Sequence, residues 1–284
     1  MSAIKAWAKI NVGLWVGSAD ETGLHPIRSR LVELDLADDL TLAPVGPMPL
    51  AVHADPVLPA ALRPGPGGNL VSRAAELVKD VLGPVPCHPV ALYKRIPAGA
   101  GLGGGSADAA AYLRAVLAER SAREQEAVWS RVQDLGRDIP FFRRGGVQLV
   151  EGYGERLTPL DGPQTPLWVL LANPGFSLST ADVYRAFDAL GSSRTKPDSE
   201  LWRDFSNPDL LQNDLEPAAF RVNPNLRAFK AHLQKLADGR PVWLSGSGAT
   251  YYILIDDIDQ AAWLDRVRSE VPWAVLARRW RREQ

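Results

Sequence analysis

The stretch Pro97-Ala-Gly-Ala-Gly-Leu-Gly-Gly-Gly-Ser-Ala-Asp-Ala-Ala-Ala111 has the composition of an anion cradle. Ordering glycine costs more backbone entropy than ordering any other residue, so Gly99, Gly101, Gly103, Gly104 and Gly105 together need a reason. Amides without side chains can point at phosphate oxygens, and a helix starting near Ser106 adds its positive end. A hinge or tight turn is the plain alternative. Leu102 inside the loop and the alanine-rich helix behind it favour phosphate. A Walker A loop would close on Gly-Lys-Ser/Thr, whereas this one closes on Gly105-Ser106-Ala107. A dinucleotide fingerprint is formally met by Gly99, Gly101 and Gly104. It should open the fold after a strand buried on both faces, yet the strand Ala91–Ile96 lies deep in the chain and carries Lys94 and Arg95. Both alternatives are set aside.

Two further groups have chemical potential. In Ala6-Trp-Ala-Lys-Ile-Asn-Val-Gly-Leu-Trp-Val16, alternation puts Ala8, Ile10, Val12, Leu14 and Val16 on one face. Lys9 and Asn11 fall on the other, about 7 Å apart along the strand. A solvated outer face would carry more polar residues than these. Asp138 stands two residues before Pro140, the pattern of a helix N-cap with proline in the first turn. That role and a chemical one are both open and compatible, because a helix N-terminus keeps a carboxylate ionised and fixes its direction.

The elements that must position these groups run in order along the chain. Gly23-Leu-His-Pro26 is a turn before a strand at Ile27–Leu34. Residues 40–66 hold short strands among prolines, such as Leu40–Ala43 and Leu50–His53, which suits edges and loops. Gly67-Gly-Asn-Leu70 introduces a helix that Asn69 can cap. Helices are expected over 106–119 and 123–135, the latter with Val128, Trp129, Val132 and Leu135 on one face. A hairpin strand is expected over 145–152. The run Thr158-Pro159 to Pro163 and Pro166 breaks the pattern and marks a domain junction. Beyond it come a buried strand at 167–172, a helix opened by Ser179-Thr180, and a long polar loop at 191–208. A helix at 225–237, strands at 241–244 and 250–255 around Ser245-Gly-Ser-Gly248, a helix at 257–270 and a strand at 272–277 complete the chain. That order resembles a split βαβ sandwich.

The chain has 284 residues, enough for one large or two medium domains. It is 46% hydrophobic and 23% charged, ordinary for a soluble globular protein. A net charge of −1 argues against nucleic acid or a membrane surface as the main partner. The basic cluster Arg278-Arg-Trp-Arg-Arg282 reads as a solvated end. Cys87 is the sole cysteine, so no internal disulfide and no cysteine zinc site is expected. His25, His53, His88 and His232 show no metal-ligand spacing. No apolar run reaches membrane-spanning length, and Lys5, Lys9 and Asn11 interrupt any signal-peptide core. A cytoplasmic location is expected.

Lys9-Ile-Asn11, the glycine loop 97–111 and Ser245-Gly-Ser-Gly-Ala249 stand in this order, and together they resemble the GHMP kinase superfamily of small-molecule kinases. Ala8-Lys-Ile-Asn11, Gly-x-His at 23–25, Gly68-Asn-Leu70, Leu102-Gly-Gly-Gly-Ser106, Asp138-Ile-Pro-Phe-Phe142 and Gln212-Asn-Asp-Leu-Glu216 narrow the likeness. They are similar to the branch that phosphorylates a cytidine-diphosphate-linked sugar alcohol in non-mevalonate isoprenoid synthesis.

The resemblance implies an α+β fold with two domains. Residues 1–160 would form a ribosomal-S5-like ATP-binding catalytic domain, and 161–284 a ferredoxin-like substrate-binding domain. It implies Asp138 as general base with Lys9 beside it. Pro97, Gly99, Gly101, Leu102, Gly103, Gly104, Gly105, Ser106 and Ala107 would bind the ATP phosphates, and Asn69 and Lys94 would approach adenine. Asn11, His25, Thr180 and Tyr184 would form the acceptor pocket. Magnesium would enter with ATP, with Ser106 as its nearest ligand in the loop and no dedicated metal cage. Two departures stand out. Leu24 replaces the aromatic residue usual before the histidine, leaving Tyr184 to supply one side of a base stack. Arg137 replaces the small residue usual before the aspartate, pointing to solvent or adding charge near the phosphate. A homoserine-type or phosphomevalonate-type kinase, and a non-catalytic nucleotide sensor on the same fold, are the competing readings.

Overall fold

The computed structural model describes residues 3–44, 46, 50–65, 68–84, 88–162, 168–191, 195, 197–205, 208–255 and 260–279. Several expectations fall outside them: Gly67, Cys87, Pro163 and Pro166, the first residues of the helix expected from 257, parts of the loop 191–208, and Trp280-Arg281-Arg282.

The first sheet is built on a long hairpin. Strand β1 (Ile4–Val16) pairs antiparallel with β2 (Ile27–Leu42). Strand β3 (Leu50–Ala54) lies at the edge beside β4 (Val90–Lys94), with helix α1 (Leu70–Leu82) between them in sequence. The glycine loop leads into α2 (Gly104–Leu117), followed by α3 (Ala122–Trp129) and α4 (Ile139–Arg144). Strands β5 (Val147–Gly152) and β6 (Arg156–Pro159) close the sheet, whose order is β3-β4-β2-β5-β6 with β1 on β2. Helices α1 and α2 cover one face, packing Val71, Leu77, Ala110 and Leu113 against Leu40 and Leu92.

The second sheet has β7 (Trp168–Asn173), then helices α5 (Thr180–Leu190), α6 (Glu216–Val222) and α7 (Asn225–Leu236). Strands β8 (Trp243–Leu244) and β9 (Tyr251–Ile255), helix α8 (Gln260–Arg268) and β10 (Trp273–Arg278) complete it. Its order, β10-β7-β9-β8, with all pairings antiparallel, is that of a split βαβ sandwich. Leu170, Ala172, Tyr251 and Ile253 face its helices. On the opposite face Val169, Leu171 and Tyr252 pack against Ile10, Val12 and Val32 of the first sheet. One continuous core therefore joins the two sheets behind β1.

Several elements differ from the sequence reading. The alternation in β1 holds only through its middle, because register shifts fall between Trp7 and Lys9 and between Val12 and Leu14. Gly13, at φ +82°, lets the Leu210 carbonyl approach to where a Cβ would stand only 1.7 Å away. An extra residue in a strand re-aims the side chains beyond it. Ala8, Ile10 and Val12 thus enter the inter-sheet core, while Leu14 and Val16 join the second half's core. The segments 27–34 and 40–43 are one strand, β2, whose charged residues Arg30, Glu33 and Asp38 are buried by pairing on both edges. The helix expected over 123–135 breaks after Trp129 into a 3₁₀ turn at Val132–Asp134. The segment 191–208 is not merely polar: Trp202 is fully buried there, and Arg30 stacks on Trp202 and Phe205.

Candidate active site

The site begins with two side chains that β1 carries on its glycine-loop side. Lys9 is 3% exposed, and its ammonium donates to Asn11 Oδ1 at 2.7 Å. Asn11 in turn donates from Nδ2 to Ser29 Oγ at 2.9 Å, and Ser29 donates to the Gly13 carbonyl at 2.6 Å. This series fixes the amide's orientation and leaves the ammonium with unused donors. Asp138 Oδ2 lies 3.2 Å from Lys9 Nζ. Asp138 occupies the N-cap position of α4, with Pro140 in the first turn, yet its side chain makes no capping bond. The cap and the chemistry therefore separate: the helix fixes where Asp138 stands, and its carboxylate is left for Lys9 and the cavity.

The glycine loop crosses over this pair. Gly99, Gly101 and Gly103 all have positive φ. A Cβ on Gly101 would fall 2.2 Å from the Ser245 carbonyl, and one on Gly103 would fall 3.0 Å from Lys9 Cγ. Leu102 is buried in the inter-sheet core, and its carbonyl accepts from the Lys9 amide at 3.0 Å, which ties loop to strand. Burying a leucine is worth about 1.5–3 kcal/mol, enough to anchor an otherwise floppy loop. Gly103 is the N-cap of α2 in the left-handed region. No side chain caps that helix, and no acidic residue stands in its first turn. Its leading amides are consequently free for an anion. The turn after β8 supports the loop from behind: Ser245 Oγ donates to the Gly101 carbonyl at 2.9 Å and accepts from the Asn11 amide at 3.2 Å.

These groups open into one cavity of about 810 Å³. Of the expected residues, Lys9, Asn11, His25, Asp138, Thr180 and Tyr184 line it. So do the loop residues Pro97, Gly99, Gly101, Gly103, Gly104, Gly105 and Ser106. Leu102 and Ala107 do not, because both side chains face the core. Asn69 caps α1 through Oδ1, accepting from the Val71 amide at 2.8 Å. It lines a neighbouring recess of about 500 Å³ with Leu50, Arg63 and Ser72. Lys94 is 4% exposed, and its ammonium is spent on Asp38 and Asp108 beneath the start of α2. Burial alone would push its pKa down; Asp108 and Asp38 reverse that and raise it. Burial raises the Asp108 carboxyl well above the usual range despite Lys94.

On the other wall, the His25 ring has Nδ1 2.9 Å from the Gly17 carbonyl and Nε2 3.2 Å from Asp188. It also packs 5.1 Å from the Tyr184 ring. Burial, then the nearby charge of Asp138, raises the Tyr184 pKa, so its hydroxyl stays protonated. Thr180 and Ser247 share a hydrogen bond of 2.9 Å across the mouth. Sequence reasoning missed Tyr153, Arg185 and Asp188, which also line the cavity. Asp188 sits two turns beyond Thr180 on α5, so helical spacing could have placed it on that wall. Nothing local marks Tyr153. Leu24 and Arg137, noted as departures, line the cavity too. Among the described residues no group of three or more His, Cys, Asp or Glu side chains could hold a metal. No helix among them is long and apolar enough to cross a membrane.

Known proteins match this arrangement. Residues 69–146 match the family of GHMP kinases, N-terminal domain. The 4-diphosphocytidyl-2-C-methyl-D-erythritol kinase of Deinococcus radiodurans is 38% identical over 264 residues, 89% of this chain and 84% of that protein. The protein of the same name from Corynebacterium efficiens is 35% identical over 275 residues, 90% and 86% of the two chains. A crystal structure of 4-(cytidine 5'-diphospho)-2C-methyl-D-erythritol kinase superposes with a TM-score of 0.77 at 31% identity, covering 99% of this chain and all of the other. The mevalonate kinase of L. major shares the fold at a TM-score of 0.63 with 15% identity, over 98% of this chain and 96% of its own. With relatives above 30% identity across most of its length and the same site-bearing fold, the chain belongs to the 4-diphosphocytidyl-2-C-methyl-D-erythritol kinase family of GHMP kinases.

Proposed function

We propose that the protein transfers the γ-phosphoryl group of ATP to the 2-hydroxyl of 4-diphosphocytidyl-2-C-methyl-D-erythritol. The observation that carries this reading is the Asp138–Lys9 pair, 3.2 Å apart at the mouth of an uncapped glycine-built helix start. Phosphoryl transfer passes through a loose transition state, so positioning and charge stabilisation supply most of the rate. The α2 amides hold the phosphates and stabilise the leaving diphosphate. Asp138 takes the hydroxyl proton as the acceptor oxygen bonds to the γ-phosphorus and the bond to the ADP oxygen breaks. Lys9 pairs with the Asp138 carboxylate and places positive charge where the two substrates meet. Its bond to Asn11 keeps the ammonium from swinging away.

The recess beside Asn69 suits the adenosine, with Asn69 approaching it while capping α1. Lys94 acts indirectly, bracing the base of the loop. His25, Thr180, Tyr184 and Asn11 take the acceptor. Magnesium would enter with ATP, and the Ser106 hydroxyl, which lines the cavity, is the loop group that would help hold it and neutralise phosphate charge. Residues 1–160 work as the ATP-binding catalytic domain and 161–284 as the substrate-binding domain, in the cytoplasm. The test is ADP release by purified protein with a panel of acceptors. Turnover is expected with the cytidine-linked acceptor and not with homoserine or phosphomevalonate. Equal turnover with either of those would overturn the reading.

A further inference from the structure

Tyr153 sits at the tip of the β5–β6 hairpin and lines the cavity. Its hydroxyl donates 2.6 Å to Asp20 Oδ2, across to the turn that carries Leu24 and His25. The other carboxylate oxygen of Asp20 holds that turn closed. It accepts from the Thr22 amide at 2.8 Å, the Thr22 hydroxyl at 2.6 Å and the Leu24 amide at 3.1 Å. Backbone bonds from the Asp20 amide to the Leu24 carbonyl and from the Gly23 amide to the Asp20 carbonyl, each 2.9 Å, complete the turn. Hydrogen bonds from Thr22, Tyr153 and Leu24 hold the Asp20 carboxyl well below the usual carboxylate range, so it is a charged acceptor.

The tip that presents Tyr153 is itself stiff. The Tyr153 amide donates to Glu155 Oε2 at 2.6 Å. The Tyr153 carbonyl accepts from the guanidinium of Arg137 at 3.5 Å, and Gly154 packs where a Cβ would stand 3.1 Å from the Arg137 carbonyl. Arg137 is the neighbour of Asp138 in the chain. A short run of contacts therefore leads from the residue next to the base, through the hairpin tip, to the wall formed by Leu24 and His25. On its far side, the same wall is held by the contact of His25 with Asp188.

We infer that Tyr153 and Asp20 are positioning residues that set the Leu24–His25 wall of the acceptor site relative to Asp138. This inference rests on the acceptor reading given above. Neither side chain is assigned a contact with the reacting atoms; each acts through the turn. Four hydrogen bonds to one carboxylate convert a surface loop into a wall, which lowers the cost of ordering it around a ligand.

The test is steady-state kinetics of Tyr153→Phe, Asp20→Asn and the double variant, varying acceptor and ATP separately. A charge-assisted hydrogen bond at a partly exposed site predicts an acceptor KM raised about five- to tenfold in each single variant. The ATP KM is expected to hold, and the double variant to be no worse than Asp20→Asn alone, because the charged acceptor of the Tyr153 bond is already gone there. An unchanged acceptor KM in Tyr153→Phe, or additive effects in the double variant, would overturn the inference. A loss in Tyr153→Val that is absent in Tyr153→Phe would assign the effect to the ring and overturn it equally. Hydrogen exchange reads the tie without turnover. Faster exchange at the Gly23 and Leu24 amides in Tyr153→Phe supports it, and unchanged exchange refutes it. Failure of the unsubstituted protein to phosphorylate the acceptor would instead count against the proposed function.

Discussion

Asp138 shows how one position serves structure and chemistry without conflict. Its backbone starts α4, its side chain forgoes the capping bond, and its carboxylate meets Lys9. Asp138→Asn keeps that geometry and removes the proposed proton acceptor. Turnover is expected to fall by about 10² to 10⁴ with ATP binding nearly intact, measured by steady-state kinetics beside calorimetric titration of nucleotide. Lys94 is the opposite kind of cation, charged but turned away from the cavity. Lys94→Met would strand two buried carboxylates and cost about 3–5 kcal/mol at neutral pH, read from urea unfolding. The sign with pH comes from the raised carboxyl of Asp108. A group whose folded pKa lies above its unfolded value favours the fold at low pH and costs stability as pH rises through the folded value. Acidification should therefore restore part of the loss in Lys94→Met. Lys9 and Asn11 were legible in the sequence because strand alternation set their directions, and Asp138 because the proline pattern marked where α4 begins, though not where its side chain points. The burial of Lys94 was not, because Asp38 comes from a distant strand and Asp108 reaches it only once the glycine loop has turned α2 back over β4.

At the scale of elements, the glycine loop is specified residue by residue. Gly101 combines φ +79° with a carbonyl 2.2 Å from any added Cβ, whereas at Gly105 an added Cβ meets only Leu70 Cδ1 at 3.5 Å. Gly101→Ala is expected to cost about 2 kcal/mol or more in thermal or urea unfolding and to raise the ATP KM. Gly105→Ala should leave stability within about 0.5 kcal/mol. The loop was legible because glycine leaves an unmistakable local mark. Helix α6, Glu216–Val222, went unread because its N-cap Leu215 offers no capping side chain, although Glu216 and Pro217 stand in its first turn. The break between α3 and Val132–Asp134 was equally hidden, since Val128, Trp129 and Val132 stay buried across it and keep the helical spacing. Tyr153 reaches the cavity only through tertiary packing, which no local pattern records, whereas the helical spacing from Thr180 did mark the wall on which Asp188 stands.

At the scale of the molecule, the two sheets share a core, and the segment around Trp202 is laced onto the first of them. Arg30 donates to the Val12 carbonyl at 3.1 Å and the Asp204 carbonyl at 2.7 Å, and stacks 4.5 Å from the Phe205 ring centre. Burial lowers its pKa to about 10, which leaves it charged at neutral pH. Trp202→Ala would open a cavity beneath this arginine and cost about 3–5 kcal/mol, seen as a lower midpoint of urea unfolding. The contact between Ser245 and Gly101 carries a larger consequence. The floor under the glycine loop is laid by Ser245, from the last seventh of the polypeptide, while the proposed acceptor side borrows Lys9 and Asn11 from the first strand. A truncated version ending near residue 160 would thus be no miniature ATP binder, because neither ligand's seat is made from one half alone.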